Sequence, residues 1–356
     1  MPGDAGDRRA LVWSHGSFAV EALGGMIAKG AFLLPNGKQV SPFFVAPWWN
    51  EDGLESYDGL TRGLRGEWPC VPFGYPMPRE LFTSRWQAVM EDADSYPDVH
   101  GYGSNHDWDF ADQSDPGVVS LSIDYPENHD IARLSRTVRG VPGEPSIAFE
   151  LEITARRACS IPVALHGCFA LPGGVGEAEV VPGEFSNGLT FPGVIEPGAE
   201  LFAKDQNFTD LRAVPTADGG VVDAASLPLA RGVEELLQLN GVKGAVDLIN
   251  HAEGYRMSFS WDRTLLPSVV LWYSNRGRQA APWLGRTLCI GIEPSATTFG
   301  LSPRTAAQAN PVANSGTPTA LDIAADTPVT IQYSIAVAPF SSLPAAGAAT
   351  KRPEVC

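Results

Sequence analysis

Residues 289–295 read Cys-Ile-Gly-Ile-Glu-Pro-Ser and place one carboxylate, Glu293, inside an apolar run. The isoleucines alternate with small or polar neighbours, which predicts a strand with one buried face, and Pro294 is expected to end that strand directly after the acid. A carboxyl group partly removed from water has a raised pKa, which lets it take and return protons near neutral pH. The pattern predicts a proton-transfer group at a strand end that faces a cavity.

His166 ends a second apolar segment, residues 161–166, and its predicted position at a strand end matches that of Glu293. A histidine and a carboxylate that face one cavity form a general acid and base pair able to move protons at neutral pH. Two ordinary alternatives stay open. Glu293 could form an ion pair with Arg278 or Arg286 at the rim of a sheet, and the histidine could be a hydrogen-bonded core residue.

A third segment holds His100, His106 and Trp108 in a region rich in aromatic, glycine and polar residues. Glycines beside His100 let backbone or ligand approach closely, and long loops of this kind commonly carry binding residues. Asp107 and Asp109 are adjacent, but no further ligand stands at a spacing typical of a metal site, and no metal is predicted. The segment predicts a binding loop with His106 among its substrate contacts.

Tryptophans flank the segments that hold these polar residues. Flat aromatic faces stack on the C–H faces of sugars, while carboxylates and amides bind the hydroxyl groups, and this mixture predicts a neutral carbohydrate as the ligand. Trp49 and Trp272 are expected to contact the substrate, beside the alternative that Trp261 and Trp272 are core residues of apolar strands. The tryptophans of this set are Trp48, Trp49, Trp68, Trp108, Trp272 and Trp283.

The chain has 356 residues, a formal net charge of −16 and a pI near 4.7. Because so acidic a surface repels nucleic acid and anionic membranes, neither is an expected partner. Hydrophobic residues make up 44% of the chain, yet no uninterrupted apolar run approaches the ~20 residues of a membrane span. The first residues lack the apolar stretch typical of a secretory signal, and the cytoplasm is the expected location.

Five cysteines are an odd number, widely spaced and without a Cys-x-x-Cys pair. Neither a disulfide framework nor a zinc site is indicated, and the thiols are expected to be reduced. No nucleophilic serine elbow and no glycine-rich phosphate loop occurs in a matching context. The motifs predict neither a metal nor a nucleotide cofactor.

Alternating apolar and polar residues separated by turn signals predict many short strands. Residues 10–49 read as an opening β-meander in which Asn36-Gly37 predicts a hairpin turn. Two short helices are predicted, at residues 80–92 and 232–238. Later strands are predicted at residues 118–125, 131–139, 147–155, 159–170, 244–250, 255–261, 268–273, 288–292 and 329–337.

These elements predict an all-β protein, built as a large antiparallel β-sandwich. Residues 147–155 alternate apolar and polar side chains almost perfectly, which is typical of a half-buried strand in an antiparallel sheet. The expected organisation is a flexible segment at residues 1–9, a single domain over residues 10–340, and a disordered tail at residues 341–356.

The order of these segments resembles the aldose 1-epimerase, or galactose mutarotase-like, superfamily over roughly residues 11–338. Each motif is short, but their order and spacing together are specific. The resemblance implies a galactose mutarotase-like supersandwich. The five features that carry it are the Gly24-Gly25 end of the meander, the proline-rich segment 65–74, His100-Gly101 followed by Trp108, His166-Gly167 with the trailing Phe169, and Glu293-Pro294.

The resemblance also implies roles for individual residues. Glu293 would remove the proton from the anomeric hydroxyl while His166 protonates the ring oxygen, after which the ring opens, rotates and closes on the other face. His100 would hold or help to protonate the region of the ring oxygen, and Trp108 would shape the pocket. No cofactor is needed for this reaction.

Two residues of the superfamily pattern are not found at the obvious places. An arginine is expected shortly after the proline-rich segment, and Arg65 or Arg79 is the candidate replacement. An aspartate is expected ahead of a late strand, where Asn240 is the candidate and Asp247 a weaker one. These departures make galactose or glucose less expected as the substrate.

The leading hypothesis is a cofactor-independent mutarotase that interconverts the anomers of a free aldose or related hemiacetal, acting as a monomer or homodimer. One alternative is a non-catalytic carbohydrate-binding protein on the same fold, which the missing arginine and aspartate favour. Another is an epimerase or lyase that uses the same pair on a sugar-derived compound. A phosphorylated sugar is less expected, because no cluster of Arg or Lys accompanies the loops near His100.

Overall fold

The computed structural model describes residues 8–90 and 98–341, and these form 24 strands, three short α-helices and three 3₁₀ turns. The strands are β1 (Arg8–Trp13), β2 (Gly16–Glu21), β3 (Ile27–Leu33), β4 (Gln39–Val40), β5 (Glu67–Cys70), β6 (Asp109–Phe110), β7 (Val118–Asp124), β8 (Ile131–Gly140), β9 (Ser146–Ala155), β10 (Cys159–Ile161), β11 (Val163–Ala170), β12 (Ala178–Val181), β13 (Asn187–Thr190), β14 (Asn207–Phe208), β15 (Val214–Pro215), β16 (Val221–Val222), β17 (Ser226–Leu227), β18 (Val233–Asn240), β19 (Val246–Asn250), β20 (Tyr255–Trp261), β21 (Ser268–Asn275), β22 (Leu288–Ala296), β23 (Leu321–Ile323) and β24 (Val329–Pro339). The helices are α1 (Gly59–Gly63), α2 (Ser84–Gln87) and α3 (Pro303–Ala307), and the 3₁₀ turns are Arg79–Leu81, Tyr102–Ser104 and Ala313–Ser315.

Two large antiparallel sheets dominate the molecule, which confirms the predicted β-sandwich. The seven-stranded sheet has the order β14-β13-β18-β21-β22-β11-β5, and the nine-stranded sheet has the order β17-β12-β19-β20-β24-β9-β8-β7-β6. Their facing sides share one large hydrophobic core, seen for example where the ring of Phe169 on β11 meets that of Phe259 on β20 at 6.2 Å. Strands β1 to β4 form the predicted opening meander as a separate sheet.

The alternation of side chains along the nine-stranded sheet follows the sequence pattern. On β9 the residues Ile147, Phe149, Leu151 and Ile153 are buried, while the residues between them are partly or fully exposed from Ala148 onward. One face of this sheet therefore packs on the core and the other meets solvent, as an antiparallel sheet with a two-residue period permits.

The seven-stranded sheet is different, because both of its faces are covered. All eight residues of β21 are buried, and so are eight of the nine residues of β22. A second hydrophobic cluster, which includes Trp68, Cys168 and Trp272, lies on the face that points away from the core. Side chains on this outer face of the seven-stranded sheet are thus removed from water without being part of the sandwich interior.

The predicted helix at residues 232–238 is wrong, since residues 233–238 lie within β18, between β13 and β21. Its two acidic residues, which suggest an exposed helix, are buried and bonded. Glu234 accepts hydrogen bonds from side chains of β21, and Glu235 accepts the backbone N–H groups of Leu201 and Phe202. Tertiary pairing here overrides the local helix propensity.

The predicted end of a strand at Pro294 is also wrong. Strand β22 continues to Ala296, and Pro294 lies opposite Val269 of β21. Glu293 and His166 consequently lie inside their strands and not at strand ends. Proline is tolerated in a strand where its missing N–H removes no required ladder bond.

The predicted helix at residues 80–92 is present only as the turn Arg79–Leu81 and the single helical turn α2. Phe82 between them is extended, and this lets Phe82 and Trp86 bury their rings in one cluster with Phe191 and Phe299. Residues 91 and 92 lie outside the described residues.

Arg8 and Arg9, expected in a flexible segment, belong to β1 and lie opposite Glu21 and Val20 of β2. Residues 1–7 of that segment and residues 342–356 of the predicted tail lie outside the described residues. None of the helices in the described parts of the chain has the length and apolar character that crossing a bilayer requires.

Candidate active site

A cavity of about 250 Å³ opens on the outer face of the seven-stranded sheet. A row of side chains from neighbouring strands, Trp68 on β5, His166 on β11, Glu293 on β22 and Trp272 on β21, lines it. His100 joins them from the loop that follows residue 97. The structure thus brings together the three residues that the sequence analysis named as catalytic.

Strand register places His166 against Glu293. The ladder between β11 and β22 pairs Ala164 with Ser295 and Gly167 with Ile292, and this makes the two residues direct cross-strand neighbours. The imidazole Nε2 lies 3.2 Å from the carboxyl Oε1. Both side chains are almost fully buried, with 6% and 2% of their side-chain surface exposed.

Two further contacts hold the ring of His166. It stacks on the indole of Trp68, with ring centroids 4.3 Å apart and an interplanar angle of 14°. Its other nitrogen, Nδ1, lies 3.5 Å from the sulfur of Cys168, which is two residues further along the same face of β11. Burial raises the pKa of the Cys168 thiol well above its usual range, and the sulfur is therefore protonated.

Burial works on both members of the pair and in opposite directions. It raises the pKa of Glu293 well above 4.5, and it lowers the pKa of His166 well below 6.5. Each shift disfavours the charged form of its group. When both groups are neutral, the pair holds one proton, on the Glu293 carboxyl, beside an imidazole Nε2 at 3.2 Å that can receive it, and the two groups titrate as a unit.

Among the arginines that the structure describes, none is paired with Glu293, which separates the site from the alternative of a rim ion pair. Arg286 lies 2.5 Å from Glu51, and Arg278 lies 3.1 Å from the buried Glu234. The titratable group next to Glu293 is the imidazole of His166.

His100 is held above the pair by an unusual backbone. Its φ of 59° is left-handed, its N–H donates to the carbonyl of Gly74 at 2.7 Å, and its ring stacks on Phe73 at 4.7 Å. Gly101 follows with a φ of 90°, and a Cβ there would lie 2.3 Å from the carbonyl oxygen of Val71. The sequence pattern His-Gly is thus a steric requirement of this turn.

The chemistry of His100 is that of a neutral imidazole. Burial lowers its pKa to about 3. Its Nδ1 is buried and makes no hydrogen bond within the described chain, and its ring centroid lies 5.4 Å from that of His166. An unpaired buried nitrogen beside a cavity is suited to bind a ligand oxygen.

Two residues expected to bind substrate, Trp108 and His106, lie away from the cavity. Trp108 is 2% exposed in the sandwich core, and its indole N–H donates to the carbonyl of Gly103 at 2.8 Å. The imidazole of His106 stacks on Tyr102 at 3.8 Å and bonds the carbonyl of the same residue. Both residues brace the loop that presents His100, since the turn Tyr102–Ser104 follows it directly.

Arg65 and Trp49 are placed against one another and not in the cavity lining. The buried guanidinium of Arg65 lies 3.5 Å from Glu21 and 5.1 Å from the ring of Trp49, and its Nε donates to the carbonyl of Gly63. These contacts leave Arg65 as a structural residue. Arg79 likewise donates to a backbone carbonyl, that of Met90, outside the lining.

Asn240 is buried in a network of amides below the cavity. It bonds Asn187 and Ser268, and its carbonyl oxygen accepts from Gln238 at 2.9 Å. Asp247, the weaker candidate, lies on the nine-stranded sheet, where it pairs with Arg256. Neither residue lines the cavity.

Trp272 does line the cavity, and it introduces two residues that the sequence analysis missed. Its indole N–H donates to Glu234 at 2.8 Å, and Glu234 in turn holds Arg278. The guanidinium of Arg278 lies 4.4 Å from the ring centroid of Trp283, at the cavity wall. No spacing in the sequence links these residues, because they come from β18, β21 and the loop before β22.

Among the described residues, no three His, Cys, Asp or Glu side chains converge in a way that could hold a metal ion. The side chains that the cavity does bring together, a carboxyl and an imidazole 3.2 Å apart with a second imidazole nearby, are suited to proton transfer.

Comparison with known proteins gives no match to a family model and none to a curated protein. Solved structures match over nearly the whole chain. The GalM/aldose epimerase homologue from C. elegans has a TM-score of 0.63 at 12% identity, covering 94% of this chain and 99% of that one. A protein from Escherichia coli K12, provisionally named an aldose 1-epimerase, has a TM-score of 0.62 at 14% identity, with coverage of 94% and 99%.

A galactose mutarotase-like protein from Lactobacillus casei ATCC 334 has a TM-score of 0.58 at 12% identity, covering 93% of this chain and 99% of that one. Identities this low establish the fold and leave the activity to be argued from the site. The chain has the fold of the aldose 1-epimerase and galactose mutarotase-like proteins, as the order of its sequence motifs predicted.

Proposed function

We propose that the chain is a cofactor-independent mutarotase, an isomerase that interconverts the two anomers of a free aldose or related cyclic hemiacetal. The observation that carries this proposal is the buried pair of His166 and Glu293, 3.2 Å apart on the floor of a cavity. An anomeric hydroxyl and a ring oxygen are attached to the same carbon. Two groups this close can therefore reach both oxygens at once.

The reaction follows from the single proton that the pair holds. The reaction uses the arrangement in which the proton has passed from Glu293 to His166: the Glu293 carboxylate then takes the proton of the anomeric hydroxyl while His166 gives its own to the ring oxygen. The bond between the anomeric carbon and the ring oxygen breaks, and an open-chain carbonyl compound forms. Rotation of the carbonyl group and the reverse transfers close the ring on the other face and return both protons.

His100 is proposed to hold the oxygen that is changing its bonds. As a neutral imidazole it can donate or accept one hydrogen bond without adding charge to the cavity. Trp272, which lines the cavity, offers aromatic surface to the C–H groups of the substrate.

A small-molecule carbohydrate is accordingly the proposed partner, with the chain working as a monomer or homodimer in carbohydrate metabolism. The cytoplasm is the proposed setting, because Cys70, Cys159, Cys168 and Cys289 are all free thiols and free thiols are typical of a reducing compartment.

The test is proton NMR of anomer exchange, started from freshly dissolved single anomers of several neutral sugars. We expect the wild-type protein to accelerate exchange of at least one of them and Glu293→Gln to lose the acceleration. Binding without acceleration would instead favour a carbohydrate-binding protein on this fold, for which the displaced Arg65 and Asn240 are the supporting observations.

A further inference from the structure

The cavity distributes its polar groups very unevenly. Among the described residues, 24 line it, and eight of these carry a carboxyl, imidazole, guanidinium or hydroxyl group: Asp58, Glu293, His100, His166, Arg278, Thr61, Tyr57 and Tyr75. His166 and Glu293 form the floor, with His100 above them. Of the other five, Asp58 already accepts the N–H of Thr61 at 2.6 Å, and Arg278 is paired with Glu234.

One side of the cavity is lined by apolar side chains alone, as far as the described residues 8–90 and 98–341 show. We call it the apolar wall, and it consists of Met77, Phe191, Ile195, Leu236, Phe299 and Leu301. These six residues belong to a hydrophobic cluster of their own, separate from the sandwich core. A ligand that fills the cavity therefore meets proton-transfer groups at one end and hydrocarbon along its flank.

The apolar wall is held in place by the backbone at Phe299. This residue has a φ of 57°, a conformation that bulky side chains rarely adopt, and its N–H donates to the side-chain oxygen of Gln238 at 2.6 Å. The next residue, Gly300, accepts the N–H of Tyr75 at 2.6 Å. Strained backbone of this kind persists where the surroundings fix it and is concentrated at functional sites.

The amide network below the cavity serves the same end. Asn240 accepts a hydrogen bond from Gln238, and Gln238 also donates to the carbonyl of Thr297. Asn240, the candidate replacement for the superfamily aspartate, thus helps Gln238 to hold the turn that presents the ring of Phe299. The ring meets that of Phe191 edge-on at 5.4 Å, which leaves the wall preformed.

A fully hydroxylated aldose fits this environment poorly. It carries a hydroxyl on nearly every carbon, and each one turned to the apolar wall loses its hydrogen bonds to water without gaining another. The loss lowers affinity by about tenfold or more for each such hydroxyl. A ring whose oxygens are confined to its hemiacetal carbon avoids that loss and buries its C–H surface instead.

We propose that the substrate is an apolar hemiacetal, a deoxygenated sugar or lactol whose ring carbons away from the anomeric centre carry hydrogen or alkyl groups and face the apolar wall. This inference rests on the proposed mutarotase function and names its substrate class.

The test is a ligand series of decreasing hydroxyl content: glucose, 2-deoxyglucose, 2,6-dideoxyglucose and 6-methyltetrahydropyran-2-ol, whose cis and trans anomers are distinct by NMR. Binding is followed by the fluorescence of the tryptophans that line the cavity, and anomer exchange by NMR exchange spectroscopy. Both affinity and kcat/KM are expected to rise along the series, by about tenfold or more from first to last. Glucose binding as tightly as the methyl lactol would overturn the inference.

The two readouts separate the inference from the function it rests on. If the lactol binds more tightly than glucose but the protein accelerates anomer exchange of no member of the series, the mutarotase proposal is refuted and the ligand class is still supported. If the protein accelerates anomer exchange of glucose more than that of the lactol, the mutarotase proposal is supported and the apolar ligand class is refuted.

A matched pair of variants tests the apolar wall itself. Ile195→Thr and Ile195→Val shorten the side chain to nearly the same shape, and only the threonine adds a hydroxyl to the wall. The preference for the lactol over glucose is expected to narrow by about fivefold in the threonine variant and to change little in the valine variant. An equal change in both variants would show that the polarity of the wall does not select the substrate.

Discussion

Two buried glutamates lie on the same sheet, but their surroundings differ. Glu67 on β5 points between the two sheets, where it accepts hydrogen bonds from Arg136 of β8 and, at 2.9 Å, from the hydroxyl of Tyr333 on β24. Glu293 on β22 points to the outer face and meets His166 and a cavity. Between the two glutamates runs a single strand, β11.

The two carboxyl groups differ in whether partners within the protein already satisfy their charge and hydrogen bonds. Burial raises the pKa of both, but at Glu67 the guanidinium of Arg136 and the hydroxyl of Tyr333 act against that shift. Its charge is matched and its bonds are fulfilled. Glu293 has a partner that itself resists charging, and it borders open space. A buried acid becomes a candidate for catalysis when it keeps both an exchangeable proton and room for a substrate.

The largest effect is expected at the outer glutamate. Glu293→Gln removes the base and should lower the rate of anomer exchange by about 10²- to 10⁴-fold, measured by NMR. The free energy of unfolding, from urea titration, should stay near or above the wild-type value, because no buried charge loses a partner. A large loss of stability in this variant would show that Glu293 is mainly a structural residue.

Changes in the cluster of Glu67, Arg136 and Tyr333 between the sheets should instead affect stability. Arg136→Met leaves the Glu67 carboxylate without its cation in the core, and the free energy of unfolding should fall by about 3–5 kcal/mol. The double variant Arg136→Met with Glu67→Leu should recover most of that loss, because no uncompensated charge remains. Equal destabilisation by the single and double variants would contradict this account.

The pH dependence of exchange should sharpen the contrast further. The active pair holds one proton, gains a second below the lowered pKa of His166, and loses its only one above the raised pKa of Glu293. The rate should therefore show a plateau, fall on the acid side through the pKa of His166, which lies well below 6.5, and fall on the alkaline side through the pKa of Glu293, which lies well above 4.5.

His100, with a pKa of about 3, stays neutral throughout that range and should contribute no step of its own. The profile of kcat/KM from about pH 4 to about pH 10 checks this expectation. A rate that rises through pH 4.5 as for an exposed glutamate, with no alkaline fall, would mean that Glu293 and His166 titrate independently.

The smallest effect concerns the thiol beside His166. Cys168→Ala removes the neighbour of Nδ1 and should lower the exchange rate by about three- to tenfold, while Cys168→Ser, which keeps a donor and acceptor there, should stay close to wild type. The ¹⁵N shifts of the His166 ring report which nitrogen carries the proton. Unchanged shifts in the alanine variant would assign Cys168 to packing alone.

The strands and the acid and base pair were predictable because their signals are local. A two-residue alternation such as that of β9 reports its own burial, and an acid in an apolar run such as Glu293 is anomalous wherever it lies. The helix expected at residues 232–238 was wrong for the complementary reason. Glu234 and Glu235 resemble exposed helical residues until the partners that bury them, from other elements, are known.

The cavity wall could not be predicted for the same physical reason. Arg278, Phe191 and Phe299 reach it from separate strands and loops, and neither their types nor their spacing relates them. Residues close in sequence to His100 do not all line the cavity with it. Trp108 and His106 follow His100 within one loop, yet the chain turns them inward to support it.

Two neighbouring residues of β5 connect the interior of the sandwich with the outer face of the sheet. Glu67 enters the sandwich and Trp68, the next residue, lies under the imidazole of His166. This strand is four residues long and forms the edge of its sheet, where a slip of one position would reverse every side chain. Such a slip would leave Arg136 without its anion. The buried ion cluster therefore favours the one register of β5 that also places Trp68 under His166 at the candidate active site, although the cluster does not contact that site.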